Sequence, residues 1–294
     1  MRKASFFLVS ALLLCTSCTK IKQAFNFVTA TAETLEEETA QNQAGQRFIN
    51  VNFCSADSMV VLSADIPLVN EGNVTDSILA YIDNCFEGYA EAYAKTNDPY
   101  KAFDLTGNAI YKKLKEEVSQ MKSEIESEAE GEELPEYLFA WEYEDDVTKE
   151  YDMDDYVTFV NTTYIYQGGA HGMHTLIGTT FDKSTGKRID KSILTNTQSA
   201  TFKAMYLREL SNYFISESDS EEDFDLSTYL FIEPEQLEIS NLRLTDHSII
   251  FQYQPYEIAP YAAGLPMVEL TFQQMKPYLT AEGLRLIQRT APGL

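Results

Sequence analysis

Tyr156-Val157-Thr158-Phe159-Val160-Asn161-Thr162-Thr163-Tyr164-Ile165-Tyr166 is an eleven-residue run built almost wholly from β-branched and aromatic side chains. It contains no glycine, proline or charge, and such a run suits a pleated, half-buried surface, so it reads as a strand. Thr175 to Phe181 follows with the same character, and Ser184-Thr185-Gly186-Lys187 supplies a turn that closes the meander. Upstream, Tyr137 to Tyr143 reads as a further strand. Phe48 to Phe53 and Met59 to Ala64 read as two more, separated by the turn-like Ser55-Ala56-Asp57-Ser58. Helical spacing appears in blocks of its own. Ile78, Ile82, Phe86, Tyr89 and Tyr93 predict a helix starting at Asp76. Ile110, Leu114, Val118, Met121 and Ile125 predict one over Asn108 to Glu128, and Phe202, Tyr206, Leu210 and Tyr213 one over Gln198 to Phe214. Leu237 to Leu244 and Ser248 to Tyr253 suggest a hairpin turning at Thr245-Asp246-His247, followed by a strand at Val268 to Phe272 and a short helix to Leu279. Strands and helices are grouped without βαβ alternation. The pattern predicts an α+β fold, an antiparallel sheet packed by three main helices in one compact unit.

The chain has 294 residues with 46 Asp+Glu against 22 Lys+Arg, a formal charge of −24. No basic stripe is available to neutralise phosphates, so nucleic acid is excluded as a partner class. Seventeen acidic residues lie between Glu116 and Asp155 against two basic ones, Lys122 and Lys149. They form either a solvated surface or a docking field that speeds encounter with a cationic partner. Asp152-Met153-Asp154-Asp155 lacks the turn glycine and distal glutamate of an EF-hand calcium loop.

Arg2 and Lys3 precede the apolar stretch Phe6 to Leu14, which is far too short to span a bilayer and reads as the core of a secretory signal. Cys15-Thr16-Ser17-Cys18 comes next, and the small residues before Cys18 resemble the lipobox of bacterial lipoproteins, with Cys15 standing where leucine is commonest. That resemblance implies a lipidated Cys18, an exported body held to the cell envelope by acyl chains, and a membrane contact made through the lipid alone. The expected organisation is a signal peptide over 1–17, a polar tether over 18–45, a first folded region over 46–150, a second over 151–280 and a tail over 281–294. Export to an oxidising compartment leaves Cys54 and Cys85 as either a disulfide closing a loop of about 30 residues or two buried reduced thiols. The bridge is the favoured expectation.

Two stretches stand out. Tyr166-Gln167-Gly168-Gly169-Ala170-His171-Gly172-Met173-His174 sits between two strands, and its glycines permit positive φ and close backbone approach. Gln254-Pro255-Tyr256-Glu257-Ile258-Ala259-Pro260-Tyr261-Ala262-Ala263-Gly264 holds tyrosines and a glutamate on a proline-bounded crossing. Together with Thr185-Gly186-Lys187, these stretches resemble the extracytoplasmic domain shared by the RsiV-type anti-sigma factor, which senses lysozyme, and the PdaC-type peptidoglycan deacetylase. The resemblance covers about Asp155 to Leu279, and more loosely Phe48 to Tyr143. It implies a domain of unknown function in the cell envelope, with a cationic, lysozyme-like protein or peptidoglycan as the partner.

The candidate ligand contacts are Gly168, Gly169, His171, Tyr256, Glu257 and Tyr261. Each has a plainer reading as a brace between the two stretches. His171 and His174 lack an evident third ligand, so no metal is assigned, and no cofactor is implied. No nucleophile elbow, His-Glu-x-x-His pair or phosphate loop is present, and no carboxylate pair is singled out as catalytic. The reading is a binding or sensing module, with a wall-directed hydrolase or a passive envelope protein as alternatives.

Overall fold

The structure is a computed structural model that describes residues 46–129, 134–216 and 224–291. The expected signal peptide, Cys18 and the tether lie outside the described residues. From Phe48 onward the chain forms one unit. It contains a five-stranded sheet in the order β1-β2-β3-β4-β5 and a three-stranded sheet in the order β6-β7-β8.

β1 (Phe48–Cys54) and β2 (Val60–Pro67) form the first hairpin. In its turn, the Ser55 hydroxyl accepts from Val60 N at 3.0 Å and donates to Asp57 at 2.9 Å. Three helices follow: α1 (Asn73–Cys85), α2 (Tyr89–Thr96) and α3 (Pro99–Glu128). The single helix expected through Tyr93 is therefore two. The chain breaks after Cys85, where Phe86 turns fully into the core and Gly88 takes φ 92°, a conformation glycine adopts cheaply. α3 starts nine residues earlier than its apolar stripe suggested. Asp98 caps it by accepting from Tyr100 N and Lys101 N, and Pro99 occupies the first turn.

The strand expected at Tyr137 to Tyr143 is a 3₁₀ turn over Glu136–Phe139, and the strand begins later, as β3 (Glu142–Asp152). This strand is acidic because only one of its faces is covered: Asp145 and Val147 are buried, while their neighbours lie on the outer face. β3 pairs parallel with β2, from Val60↔Tyr143 to Ala64↔Val147, because α1–α3 form the crossover between the two strands. The sheet is thus antiparallel except for this pair. It also runs through the expected region boundary at 150. β4 (Tyr156–Tyr166) and β5 (Met173–Asp182) complete it, with β4 bounded as its sequence predicts.

α4 (Ala200–Ser216) precedes β6 (Asn241–Leu244), β7 (Ser248–Gln252) and β8 (Met267–Thr271). α5 (Phe272–Met275) and α6 (Ala281–Ile287) end the described chain. The expected tail is therefore partly helical, with Leu286 and Ile287 buried.

Two cores result. Ile78, Ile82 and Phe103 pack on Val51, Leu62, Val147 and Phe159 across one face of the large sheet. Phe202, Tyr206, Leu210 and Phe214 pack on Leu242, Leu244, Phe251 and Leu270 of the small sheet. Each fully buried side chain of this size contributes about 1.5–3 kcal/mol. The two sheets meet where β6 lies over β4 and β5. Thr158 Oγ1 donates to Leu244 O at 2.7 Å, Leu244 N donates to Thr180 Oγ1 at 2.9 Å, and the Tyr156 hydroxyl donates to Thr245 O. Buried threonines therefore satisfy the edge of β6, which would otherwise lose its hydrogen bonds to water.

Candidate binding surface

The fold brings the two unusual stretches together. Gly168 (φ 82°) and Gly169 (φ 108°) turn the chain between β4 and β5. A side chain at Gly168 would meet Leu138 O at 2.9 Å, so the turn needs both the left-handed backbone and the missing Cβ. Tyr166 donates its hydroxyl to Gly169 O at 3.1 Å and pins the loop from below.

Gln254 fastens the crossing to this hairpin. Its side-chain amide donates to Leu176 O at 2.7 Å and accepts from Leu176 N at 3.1 Å, standing in for a strand partner on the free edge of β5. Gln254 N donates to Glu257 Oε2 at 2.8 Å, and Tyr213 of α4 donates to Ala263 O at 2.8 Å. The Tyr261 hydroxyl donates to Gly172 O at 2.9 Å, an oxygen that also lies 2.9 Å from His171 Nδ1. Above that contact the Tyr261 and His171 rings stack at 4.2 Å and 16°. Tyr256 extends the row, with its ring 5.7 Å from Tyr261, 49% exposed and held at φ 63°. A tyrosine in the left-handed region costs on the order of 1–3 kcal/mol, so its position is imposed by the surrounding crossing.

Of the six candidate contacts, His171, Tyr256 and Tyr261 form one ring row, Gly168 and Gly169 shape the loop beneath it, and Glu257 lies beside it. His171 and His174 part company, since His174 packs on Tyr164 at 4.5 Å. Among the described residues no group of three His, Cys, Asp or Glu side chains is placed to hold a metal ion.

Strand pairing also places carboxylates beside the rings. Glu142 faces Tyr166, Glu144 faces Tyr164, and Tyr164 faces His174. Burial, then Glu142, pushes the Glu144 carboxyl above its ordinary range, with His174 opposing. Asp146 and Asp65 continue this outer face. The Ser63 hydroxyl donates to Asp146, and Asn50 donates to Asp65 at 3.0 Å.

The expected disulfide is not formed. Cys54 and Cys85 are both thiols. Alternation along β1 puts Cys54 on the exposed face, opposite Phe53, whereas Cys85 is half-buried at the end of α1 on the helical side of the sheet. Burial first, then the nearby Asp145, pushes the Cys85 thiol up to about 12.

Asp145, like Asp182 and Arg243, is a buried ionisable group that no sequence motif marks. It accepts from Tyr143 OH at 2.9 Å and from the Asn161 amide, and burial pushes its carboxyl up to about 6. The signal was an aspartate flanked two residues away by Tyr143 and Val147, at an inward position of a strand.

The fold and this surface define a two-sheet α+β domain of a known kind. Residues 19–174 match the family model described as "Deacetylase PdaC", and residues 191–273 match the one described as "Protein of unknown function (DUF3298)". The first match spans more than half of the chain, which belongs to that family. The glycine loop lies in the first match and the proline-bounded crossing in the second. A crystal structure of a DUF3298 family member from Bacteroides fragilis is similar with a TM-score of 0.61 at 18% identity, covering 83% of this chain and 95% of that one. Another, from Pseudomonas aeruginosa, has a TM-score of 0.49 at 14% identity over 80% of this chain and 96% of that one. The first likeness supports the fold. No curated protein matches the chain. No helix among the described residues is long and apolar enough to cross a membrane.

Proposed function

We propose that this chain is an exported, lipid-tethered binding module of the bacterial cell envelope, and that cell-wall glycan lies against the Tyr256–Tyr261–His171 row. The observation that carries this reading is the row itself. The His171 and Tyr261 rings stack on each other, Tyr261 donates to Gly172 O and Tyr256 lies tilted beside them, so little side-chain entropy of the stacked pair is left to lose on binding. The electron-rich faces of aromatic rings attract the electropositive C–H faces of sugars, as they do the edges of other rings. The lipobox-like Cys18 segment and the family's PdaC description support an envelope location.

A second reading, a cationic protein such as a lysozyme, has its own observation. The outer strand face next to the rings carries Asp65, Glu142, Glu144 and Asp146, with no lysine or arginine at the outward positions of β1, β2 and β3 from Asn50 to Thr148. Co-sedimentation with purified sacculi, at low and high salt, tests the first reading. Stacking against sugar predicts retention at both salt levels, whereas capture of a small basic protein would fade as salt screens the carboxylates. Failure to sediment at any salt contradicts the glycan reading.

A further inference from the structure

Gly172 differs from Gly168 and Gly169 in having no positive φ. Its missing side chain makes room for a ring instead, since a Cβ there would come 2.6 Å from the Tyr164 hydroxyl oxygen. Tyr164 therefore lies directly against Gly172, whose carbonyl accepts from Tyr261 at 2.9 Å. The two tyrosines meet on one residue, which makes Tyr164 the next ring beyond the Tyr256–Tyr261–His171 row. His174 packs on Tyr164 in turn, at 4.5 Å and 34°.

Pairing of β3 with β4 puts Glu144 directly beside Tyr164 on the outer face and Glu142 one diagonal step away. Cβ atoms of directly opposed residues lie about 4.5–5.5 Å apart, and diagonal neighbours about 7–8 Å. Burial, then Glu142 and Glu144, pushes the Tyr164 hydroxyl above its ordinary range. Among the described residues neither carboxylate, nor the Tyr164 hydroxyl, makes a hydrogen bond or ion pair through its side chain. Two like charges and a third acceptor thus gather beside aromatic rings where nothing donates. An alkylammonium has three N–H donors for these groups and an apolar stem for the ring faces. A guanidinium fork suits one carboxylate held in two bonds, whereas here two separate carboxylates share the place. No group of three His, Cys, Asp or Glu side chains is placed to hold a metal ion among the described residues.

We propose that Tyr164, Glu142 and Glu144 form an ammonium notch, and that it receives the free side-chain amine of a diamino acid in a peptide attached to the wall glycan on the ring row. The proposal rests on the glycan reading for the row and adds a second half to that site. Tyr261 and Tyr164 share Gly172, so row and notch are one residue apart, and three peptide residues span up to about 10 Å. The notch confers selectivity. An amine consumed in a peptide cross-link has become a neutral amide, so the notch favours wall material that is not cross-linked.

Titration of the whole protein tests it with three probes: soluble glycan strands bearing peptides with free amines, the same strands with those amines acetylated, and Nα-acetyl-lysine amide. Acetylation should weaken strand binding about fivefold, the effect of one partly exposed ion pair. Nα-acetyl-lysine amide should show saturation transfer at its side-chain methylenes. High salt should narrow the gap between the two strands by screening the carboxylates, a comparison that needs no variant. Glu144→Gln keeps the size of an outward side chain and should bring the gap below about twofold. If wild type binds free and acetylated strands equally, the notch is wrong and the glycan reading stands. If the lysine amide binds but neither strand does, the notch stands and the ring row is wrong. A gap that survives both high salt and Glu144→Gln places the amine elsewhere and overturns the notch.

Discussion

Tyr261 and His171, 90 positions apart in the chain, stack at 4.2 Å, and the tyrosine hydroxyl donates to the carbonyl of Gly172, the residue after His171. One residue from each unusual stretch thus bridges the hairpin of the large sheet to the crossing that joins β7 to β8 in the small one. This contact allows bracing and ligand binding to be separated by mutation.

Tyr261→Phe removes one hydrogen bond and keeps the ring. It should cost about 1 kcal/mol, a drop in melting temperature of about 2–4 °C for a domain of this size. Tyr261→Ala also removes the stack and should cost about 2–3 kcal/mol. Calorimetry checks both, and equal losses in the two variants would mean that the ring contact contributes nothing.

The Asp145 carboxyl makes stability depend on acidity in a definite direction. Burial raises it to about 6 in the folded protein, from an ordinary 3.8. The folded state therefore holds the proton where the unfolded state has lost it, and stability falls as pH rises from about 4 to about 6. The shift corresponds to at most about 3 kcal/mol. Relative to wild type, Asp145→Asn should gain stability across that window and run parallel to it above. Urea unfolding at stepped pH measures the difference, and a constant gap from pH 4 to 7 would contradict the assignment.

The two cysteines should react at different rates. Cys54 is exposed and Cys85 is half-buried, with a thiol pushed up to about 12. Alkylation of native protein without reductant should modify Cys54 first and Cys85 only on unfolding, as read by intact mass. Protection of both until a reductant is added would restore the disulfide.

Much of this fold is legible in the sequence because burial imposes period. β4 is bounded as its run of β-branched and aromatic residues predicts, and α4 follows its stripe of Phe202, Tyr206 and Leu210. The errors fall where another force prevails. β3 is covered on one face only, so its open face carries Glu142, Glu144 and Asp146 and masks the strand. The start of α3 was written in Asp98-Pro99, a cap signal outweighed by the apolar stripe that begins at Ile110. The ring row was half legible. Glycines and prolines marked both stretches, but the stacking of His171 on Tyr261 depends on tertiary packing. Arg243 gave no local signal at all, since its burial depends on Gly178 of another strand.

Lipidation can be tested directly at Cys18. Cells expressing the full chain should incorporate labelled palmitate into the wild-type protein, and Cys18→Ser should abolish the label and release the protein from the membrane fraction. Unchanged labelling of the variant would contradict the assignment.

The most direct test of the central claim is titration of the folded protein with soluble peptidoglycan glycan strands, comparing wild type with Tyr256→Ala. Tyr256 is half exposed at the end of the row and its side chain is little used in packing, so the variant should keep the wild-type circular dichroism spectrum. The account predicts at least tenfold weaker binding by this variant at unchanged fold. Binding of equal strength by both proteins, or by neither, would contradict it.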